Sequence, residues 1–125
     1  MTKLYFDSRD ELTCINPDLV AVVQANGNYS RVLYITKREI VLTQGITKMG
    51  EILKMYNSQT NRFVRLGRSI IVNHFYLQKI DVLKQQLILS DGNKNDIRIT
   101  IPKQILKTYK NATIKSIQIK EQEEL

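Results

Sequence analysis

The chain is 125 residues long, which suits one domain with a hydrophobic core and leaves no room for two. Its 42% hydrophobic and 25% charged residues are typical of a soluble globular protein. No apolar run approaches the roughly 18 to 20 residues that a membrane span needs. Because the chain starts without a signal-like apolar stretch and has a single cysteine, we expect a cytoplasmic protein without an internal disulfide.

The formal net charge of +7 is unevenly distributed along the chain. Residues 25–80 carry nine basic and two acidic groups, and residues 97–120 carry six basic groups and no acidic one. Residues 1–24 carry two basic and four acidic groups, and residues 121–125 hold three glutamates. Basic regions of this kind attract polyanions, so nucleic acid and an acidic protein are both open as partners.

The first third of the chain has the pattern of β-strands. Residues 4–6 and 12–15 are short β-type segments, and a turn is expected after them. Residues 20–25 are rich in valine and lead into Asn26 and Gly27. This dipeptide predicts a hairpin with a type I′ turn, whose returning strand spans residues 29–36.

A helix interrupts the β pattern after a further strand predicted at residues 40–43. Four apolar residues follow the helical spacing i, i+3, i+4 and i+7, which predicts a helix over residues 47–57 with Thr47 as its N-cap. A polar loop is expected at residues 57–61. The four apolar residues are Met49, Ile52, Leu53 and Tyr56.

Residues 62–73 combine arginines with a tight turn. Arg62, Arg65 and Arg68 surround a Gly67-Arg68-Ser69 break, with an apolar run on each side. This pattern predicts a strand, a turn and a second strand. The turn would present a guanidinium, a hydroxyl and an accessible backbone, for which a phosphate backbone is a natural partner.

The last third of the chain is predicted to add three strands and a second helix. Strands are expected at residues 79–83 and 86–89, and the strict alternation over residues 97–101 predicts a half-buried strand. Pro102 fits the first turn of a helix. We expect an additional edge strand within residues 111–120. The apolar face of the helix would consist of Ile105, Leu106 and Tyr109.

The sequence offers no set of residues for catalysis, a metal or a cofactor. His74 is the one histidine and Cys14 the one cysteine, and we expect a turn position for the first and a buried position for the second. A zinc site needs about four ligands of Cys, His or carboxylate type, and no such cluster is present. Glycine loops of the phosphate-binding kinds are also absent. We therefore expect neither an enzyme nor a bound cofactor.

Segment 62–73 resembles the hallmark of the LytTR family of bacterial DNA-binding domains. That hallmark has the form Phe-x-Arg-x-His-x-Ser-x-x-Val-Asn, and Gly67 stands where the family usually has histidine. The hairpin over residues 20–32 and the strand and basic helix over residues 99–106 are similar to flanking parts of the family. The match spans about residues 18–108. The matching hallmark residues are Phe63, Arg65, Ser69, Val72 and Asn73.

The resemblance implies a mainly β fold with two short helices, built as LytTR-like elongated antiparallel β-sheets. We expect one such domain over residues 1–120, an acidic tail at 121–125 that is disordered, and no room for a receiver domain. The function implied is that of a bacterial transcriptional regulator bound to double-stranded DNA. Family members commonly bind direct repeats in promoters, so two copies are expected on one promoter, with a homodimer on DNA as an option.

Three regions are implied as DNA contacts by the resemblance, since the family binds DNA through loops and turns in adjacent grooves. Ser30 falls where some members use a base-contacting histidine, and Arg68 falls at a polar contact position. Each of these side chains could instead be an ordinary surface residue. The first region is Asn28, Tyr29, Ser30 and Arg31; the second is Arg65, Gly67, Arg68 and Ser69; the third is Lys103 and Gln104.

Two other functions remain open from the residues alone. One is a β-rich protein-interaction module whose basic surface binds an acidic partner, which a salt titration of DNA binding would distinguish. The other is binding of single-stranded nucleic acid on exposed aromatic rings. The second is disfavoured because Phe63, Phe75 and most tyrosines lie in apolar runs and are expected in the core, with Tyr29 as the exception.

Overall fold

The computed structural model describes residues 3–56 and 62–123, and in that part it contains ten strands and two α-helices in three antiparallel sheets. This architecture confirms the predicted mainly β fold. Two short 3-10 turns, Pro17–Leu19 and His74–Tyr76, each precede a strand. The elements are β1 (Leu4–Asp7), β2 (Leu12–Ile15), β3 (Val20–Asn26), β4 (Tyr29–Tyr34), β5 (Glu39–Leu42), α1 (Ile46–Tyr56), β6 (Phe63–Leu66), β7 (Ile70–Asn73), β8 (Leu77–Asp81), β9 (Gln86–Ser90), β10 (Asp96–Thr100) and α2 (Lys103–Glu123).

A central five-stranded sheet has the order β5-β4-β3-β7-β6. The predicted hairpin at Asn26 and Gly27 is confirmed, but its two-residue loop is Gly27-Asn28, because Asn26 pairs with Tyr29. Gly27 has a φ of 60°, and Asn28 is not among the residues with positive φ. A glycine with positive φ at the first loop position indicates a type II′ turn and not the expected type I′.

The predicted hairpin around the arginines is also confirmed, as β6 and β7 joined by residues 67–69. At its base the completely buried side chain of Asn73 makes two hydrogen bonds. Its Nδ2 donates to the Val20 carbonyl at 2.8 Å, and its Oδ1 accepts the N–H of Phe75 at 3.0 Å. The hallmark asparagine therefore joins the end of β7 to the start of β3 and caps the following 3-10 turn.

The central sheet separates two apolar clusters. Val23 and Ile71 face α1 and the β1–β2 hairpin, whereas their neighbours Val22 and Val72 face α2 and the three-stranded sheet β10-β9-β8. This division follows from the alternation of side chains along a strand. Because both faces of β3 and β7 are covered, these two central strands are almost continuously apolar.

Helix α1 agrees with the prediction within one residue at each end. It begins at Ile46 rather than beside a Thr47 cap, and Met49 and Leu53 are buried as expected. The loop predicted at residues 57–61 lies outside the described residues. In the described part of the chain no helix is long and apolar enough to cross a membrane.

Helix α2 is much longer than the short helix that was predicted. It includes residues 111–120, so the edge strand predicted there is wrong. It also continues through Glu123, within the segment expected to be a disordered tail, and residues 124 and 125 lie outside the described residues. The reason is that no glycine or proline follows Pro102, so nothing ends the helix that begins after it.

Tyr109 anchors α2 to the body of the domain. Its buried hydroxyl forms a 2.6 Å hydrogen bond with Nδ1 of His74, and burial raises the pKa of the tyrosine. His74 occupies the 3-10 turn after β7, which agrees with the predicted turn position. The first turns of α2 are therefore fixed against the end of the β6–β7 hairpin.

Two side chains that were expected in the core are exposed. Cys14 lies on the outer face of the β1–β2 hairpin, because its neighbour Ile15 takes the inward position of the alternating strand. Phe75 is 69% exposed. The guanidinium of Arg62 lies 4.9 Å from the centre of its ring, so a cation covers the ring where core packing was expected.

Candidate nucleic-acid interface

The turns of the β3–β4 and β6–β7 hairpins lie side by side at one end of the central sheet. Strands β3 and β7 are antiparallel and pair Gln24 with Ile70, so the end of β3 lies beside the start of β7. Beyond this pair the N–H of Ala25 donates to the carbonyl of Ser69 at 2.8 Å. The first two regions predicted to contact DNA are therefore joined by the backbone.

A first groove, about 190 Å³ in volume, lies between these two turns. It contains Arg31 of the first predicted region and Ser69 of the second. Nε of Arg31 donates to Oε1 of Glu39 at 2.6 Å, and this hydrogen bond lowers the pKa of Glu39 and raises that of Arg31. Because Glu39 occupies Nε, a phosphate or a base would have to bind the two terminal nitrogens. The groove is lined by Gln24, Ala25, Asn26, Arg31, Ser69 and Ile70.

A second groove, about 280 Å³ in volume, lies between β6 and α2. Arg65 and Gly67 of the second predicted region face Gln104 and Thr108 of α2 across it. Lys103, the first residue of α2, is exposed beside Gln104. The β6–β7 turn thus borders both grooves, and each of the three predicted regions contributes at least one residue to their linings.

Gly67 suits this place for two reasons. Its φ of 70° lies in the left-handed region that other residues avoid. A Cβ atom at this position would lie 2.9 Å from Cδ1 of Ile105 on α2. The histidine that the family hallmark usually has here would require the turn or the helix to shift, so the glycine and the close approach of α2 belong together.

Arg65 supports the turn through hydrogen bonds from its exposed side chain. One terminal nitrogen donates to the carbonyl of Arg68 at 2.8 Å, and the other donates to Oγ1 of Thr47 at 3.3 Å. The structure therefore shows a hydroxyl and a backbone carbonyl as the partners of this guanidinium. The guanidinium thereby braces the turn and connects it to α1.

Arg68 and Ser69 are exposed at the tip of the β6–β7 hairpin. Since the carbonyl of Arg68 is held by Arg65, the backbone of the tip is fixed while the Arg68 guanidinium faces solvent. Asn28 and Tyr29 are exposed at the neighbouring tip, where Tyr29 keeps half of its surface accessible. These side chains are placed to touch a large partner lying across both tips.

Ser30 does not belong to this surface, which corrects the sequence prediction. Its side chain is completely buried, and its hydroxyl donates to the carbonyl of Gln44 at 2.7 Å. Ser30 faces inward because Tyr29 and Arg31, on either side of it along β4, face outward. The serine holds the chain between β5 and α1, and it cannot reach DNA from this position.

Arg62 lines neither groove, although it belongs to the same arginine-rich segment. A terminal nitrogen of its guanidinium lies 2.7 Å from Oδ1 of Asp18, and the side chain is 22% exposed. The same carboxylate oxygen accepts a hydrogen bond from the Tyr56 hydroxyl at 3.3 Å. Arg62 therefore ties the start of β6 to the 3-10 turn before β3 and to the end of α1.

Sequence reasoning missed Gln24 and Asn26 in the first groove and Thr108 in the second. A signal for Gln24 was available, because a hairpin that pairs Asn26 with Tyr29 also pairs Gln24 with Arg31. The position of Thr108, one turn after Gln104 on α2, would follow once the helix was known to border β6.

Two other features bear on the kind of site. A larger cavity of about 580 Å³ lies on the opposite side of β6, between this strand and α1, and Arg65 lines it as well. Its walls are mainly apolar, and its lining includes no residue of either turn. Among residues 3–56 and 62–123, no three His, Cys, Asp or Glu side chains come together as metal ligands would.

Comparisons with known proteins agree with this geometry. The family model described as the LytTr DNA-binding domain matches residues 10–114. A solved LytTr DNA-binding domain from Bacillus cereus, described as part of a methyl-accepting/DNA response regulator, superposes with a TM-score of 0.57 at 14% sequence identity. The superposition covers 89% of this chain and 95% of that one, so the two share a fold. No curated protein matches the chain.

Proposed function

Because the chain belongs to the LytTR family of DNA-binding domains, we propose that it binds double-stranded DNA in a sequence-specific manner through the end of the central sheet where both turns meet α2. The observation that carries the proposal is the continuity of this surface, in which the β6–β7 turn borders both grooves. We name it the turn face. It consists of Asn28, Tyr29, Arg31, Gly67, Arg68, Ser69, Lys103 and Gln104.

The chemistry of the turn face suits adjacent grooves of a duplex. The Arg68 guanidinium at the tip can clamp phosphates or enter a narrow minor groove. Gln104 can bind adenine through both atoms of its amide, and Lys103 can bond to O6 and N7 of guanine. Since the β3–β4 tip lies on one side of the β6–β7 turn and α2 on the other, the proposed contacts fall in two successive major grooves and the minor groove between them.

The biological role that follows is regulation of transcription in a bacterial cytoplasm. Support comes from the Bacillus cereus domain of the same fold, which is described as part of a response regulator. We propose that two copies occupy direct repeats in a promoter, each copy reading one half-site. Duplex DNA is the proposed ligand, and the mechanism requires no cofactor or small-molecule substrate.

The first experiment is selection from a random duplex library by the purified chain at near-physiological salt. The expected result is an enriched motif with two similar half-sites, and a binding constant that falls with salt with a log–log slope of about −0.9 for each phosphate contacted. Weak, salt-sensitive binding without an enriched motif would contradict sequence-specific recognition. It would favour the alternative of a basic surface that binds an acidic protein.

Single substitutions test which residues of the turn face contact DNA. Arg68→Ala and Lys103→Ala should each weaken binding to the selected duplex by about 1–3 kcal/mol, or about 5- to 150-fold, with no loss of folding. Arg98→Ala is the matched control, because Arg98 is exposed on β10 and lines neither groove. Unchanged affinity in both test variants, or an equal loss in the control, would remove the proposed placement.

A further inference from the structure

The cavity of about 580 Å³ between α1 and β6 is separate from the turn face, because no residue of the turn face lines it. Its volume lies within the range of about 300–1,000 Å³ that is typical of small-molecule sites. The floor is apolar: Leu53 and Ile71 are 1% and 2% exposed, and Phe63 and Val64 are half-buried. We name it the α1 cavity. An apolar group that left water for this floor would bind favourably.

Gly50 keeps space open in the wall of the α1 cavity. It lies in the interior of α1, where glycine is less favourable than every residue except proline. Its φ is not positive, and a Cβ atom at this position would lie 3.5 Å from Cδ1 of Ile71, an ordinary contact distance. Neither the backbone nor the described packing therefore requires glycine here. The missing side chain leaves free volume in the cavity.

The described lining of the α1 cavity carries more positive than negative charge. Its basic residues are Lys54, Arg62 and Arg65, and its acidic residue is Glu51. Arg62 already has Asp18 as its ion-pair partner at 2.7 Å. Within residues 3–56 and 62–123, Lys54 and Arg65 form no ion pair with a carboxylate. Two uncompensated cations beside one carboxylate favour an anionic ligand.

Arg65 is the cation best placed to bind an anion in the α1 cavity. Its exposed guanidinium donates to Oγ1 of Thr47 at 3.3 Å and to the carbonyl of Arg68 at 2.8 Å, and both acceptors are neutral. The longer of these two hydrogen bonds is the one to Thr47, which also lines the cavity. An anionic oxygen in place of this hydroxyl would form a charge-assisted hydrogen bond, which is about twice as strong as a neutral one.

We propose that the α1 cavity is a binding site for a small molecule with an apolar body and one anionic group. The apolar body packs on Leu53 and Ile71, in the space beside Gly50. The anionic group binds Arg65 in place of the neutral hydroxyl. Because Arg65 also holds the carbonyl of Arg68, the ligand contacts the guanidinium that braces the β6–β7 turn. Binding of the ligand does not depend on the proposed function.

Two fluorescent dyes with the same aromatic body test the site on the full chain. Anilinonaphthalene sulfonate carries an anionic group, and phenylnaphthylamine is its neutral counterpart. Fluorescence titrations give the dissociation constant of each dye. Arg65→Met should weaken binding of the sulfonate at least about 10-fold and change binding of the neutral dye less than about 2-fold, because a hydrogen bond to a charged group is lost for the sulfonate alone.

Arg98→Met is the matched control for this substitution, because Arg98 is exposed on β10 and does not line the α1 cavity. It should leave the binding of both dyes unchanged. An equal loss of sulfonate binding in Arg98→Met and Arg65→Met would overturn the proposal. Unchanged sulfonate binding in Arg65→Met, or no saturable binding to the wild type, would overturn it as well.

Filling the cavity distinguishes this site from other places on the basic surface. Gly50→Leu puts a branched side chain into the free volume and should weaken binding of both dyes at least about 10-fold, because the added methylene groups and the dye compete for the same space. Gly50→Ala is the control, since its Cβ meets Ile71 at an ordinary contact distance. Circular dichroism checks that both variants fold. Unchanged dye binding in a folded Gly50→Leu variant would contradict the proposed site.

NMR on the wild type locates the dye without any substitution, and it decides the question if Gly50→Leu does not fold. NOEs are expected between the ring protons of anilinonaphthalene sulfonate and the methyl groups of Leu53 and Ile71, which form the floor of the α1 cavity. NOEs to Ile105 and Ala112 in their place would put the dye in the groove between β6 and α2 and would overturn the proposal.

Discussion

The two hairpins of the turn face both have a glycine with positive φ in the turn, but the contacts around that glycine differ. The β3–β4 turn has Gly27 with a φ of 60° and no described atom within 4 Å of the position of its missing Cβ. The β6–β7 turn has Gly67 with a φ of 70°, where a Cβ atom would lie 2.9 Å from Cδ1 of Ile105. In the same turn Arg65 holds the Arg68 carbonyl. The β3–β4 turn is open and the β6–β7 turn is braced. The constraint on a turn glycine therefore depends on what packs against it as well as on its φ.

The largest effect should come from the base of the braced hairpin. Asn73→Ala leaves the carbonyl of Val20 and the N–H of Phe75 without their buried partner, which should lower the free energy of unfolding by about 2–4 kcal/mol. Urea denaturation of the variant measures this loss. Asn28→Ala is the control at the tip of the open hairpin and should leave stability nearly unchanged. Similar values for both variants would show that the two hairpins are anchored alike.

Alanine at the two glycines compares the turns directly. Gly27→Ala should cost about 1 kcal/mol for the positive φ alone. Gly67→Ala should cost about 2 kcal/mol or more, because its Cβ also meets Ile105. Thermal unfolding of the two variants gives the difference. If Gly27→Ala is the more destabilising of the two, the contact with α2 does not constrain the braced turn.

Two serines that were both predicted to contact DNA should separate into a structural and a binding residue. Ser30→Ala removes the buried hydrogen bond to Gln44 and should destabilise the fold by about 1 kcal/mol without changing the affinity of the folded protein for duplex DNA. Ser69→Ala should leave stability unchanged and weaken binding, since the side chain is exposed and the bond to Ala25 uses its backbone. Melting curves and a DNA titration on each variant decide this, and a reversed pattern would restore Ser30 to the interface.

The smallest effect should come from Glu39, which holds Arg31 in the open hairpin. Glu39→Gln removes an exposed negative charge beside the proposed phosphate contacts, so affinity for DNA should rise about two- to threefold at low salt. A fall in affinity would mean that the carboxylate orients Arg31 for binding.

The pKa of Glu39 gives the same pair a pH dependence. Because the hydrogen bond from Arg31 lowers this pKa, the pair stabilises the fold above the ordinary value of 4.5, and the contribution is lost as the pH falls through the lowered value. An NMR titration should show a Glu39 pKa below 4.5 in the wild type and a higher value in Arg31→Ala. An identical pKa in both proteins would contradict the ion pair.

The hairpins and α1 could be predicted because their signals are local. The apolar spacing of Met49 and Leu53 determines the buried face of α1. Gly67 indicates the β6–β7 turn by its residue type alone, without reference to its tertiary contacts. The direction of Ser30 could not be predicted, since it depends on which face of β4 is covered and on the Gln44 carbonyl that meets it. Family resemblance suggested a DNA-binding surface that stays a prediction, and it could not show that one of its members, Ser30, is buried.

The errors in the rest of the chain also have physical causes. Ile114 and Ile117 suggested a strand because β-branched residues favour strands, but a helix already started by Pro102 continues through them. Phe75 lies within an apolar run, yet Arg62 covers its ring, and an arginine 13 residues away in the sequence is not visible in a local pattern. Continuation of the helix decided the first case, and a tertiary contact decided the second.

The hydrogen bond from Ala25 to Ser69 fixes the distance between the two tips of the turn face. Because backbone atoms join the two tips, we expect the distance between the bases that they are proposed to contact to be set by the protein and not by flexible side chains. One inserted base pair moves a target by about 3.4 Å along the duplex and rotates it about one tenth of a turn. The chain should therefore tolerate changes of base within a half-site better than changes of spacing inside it.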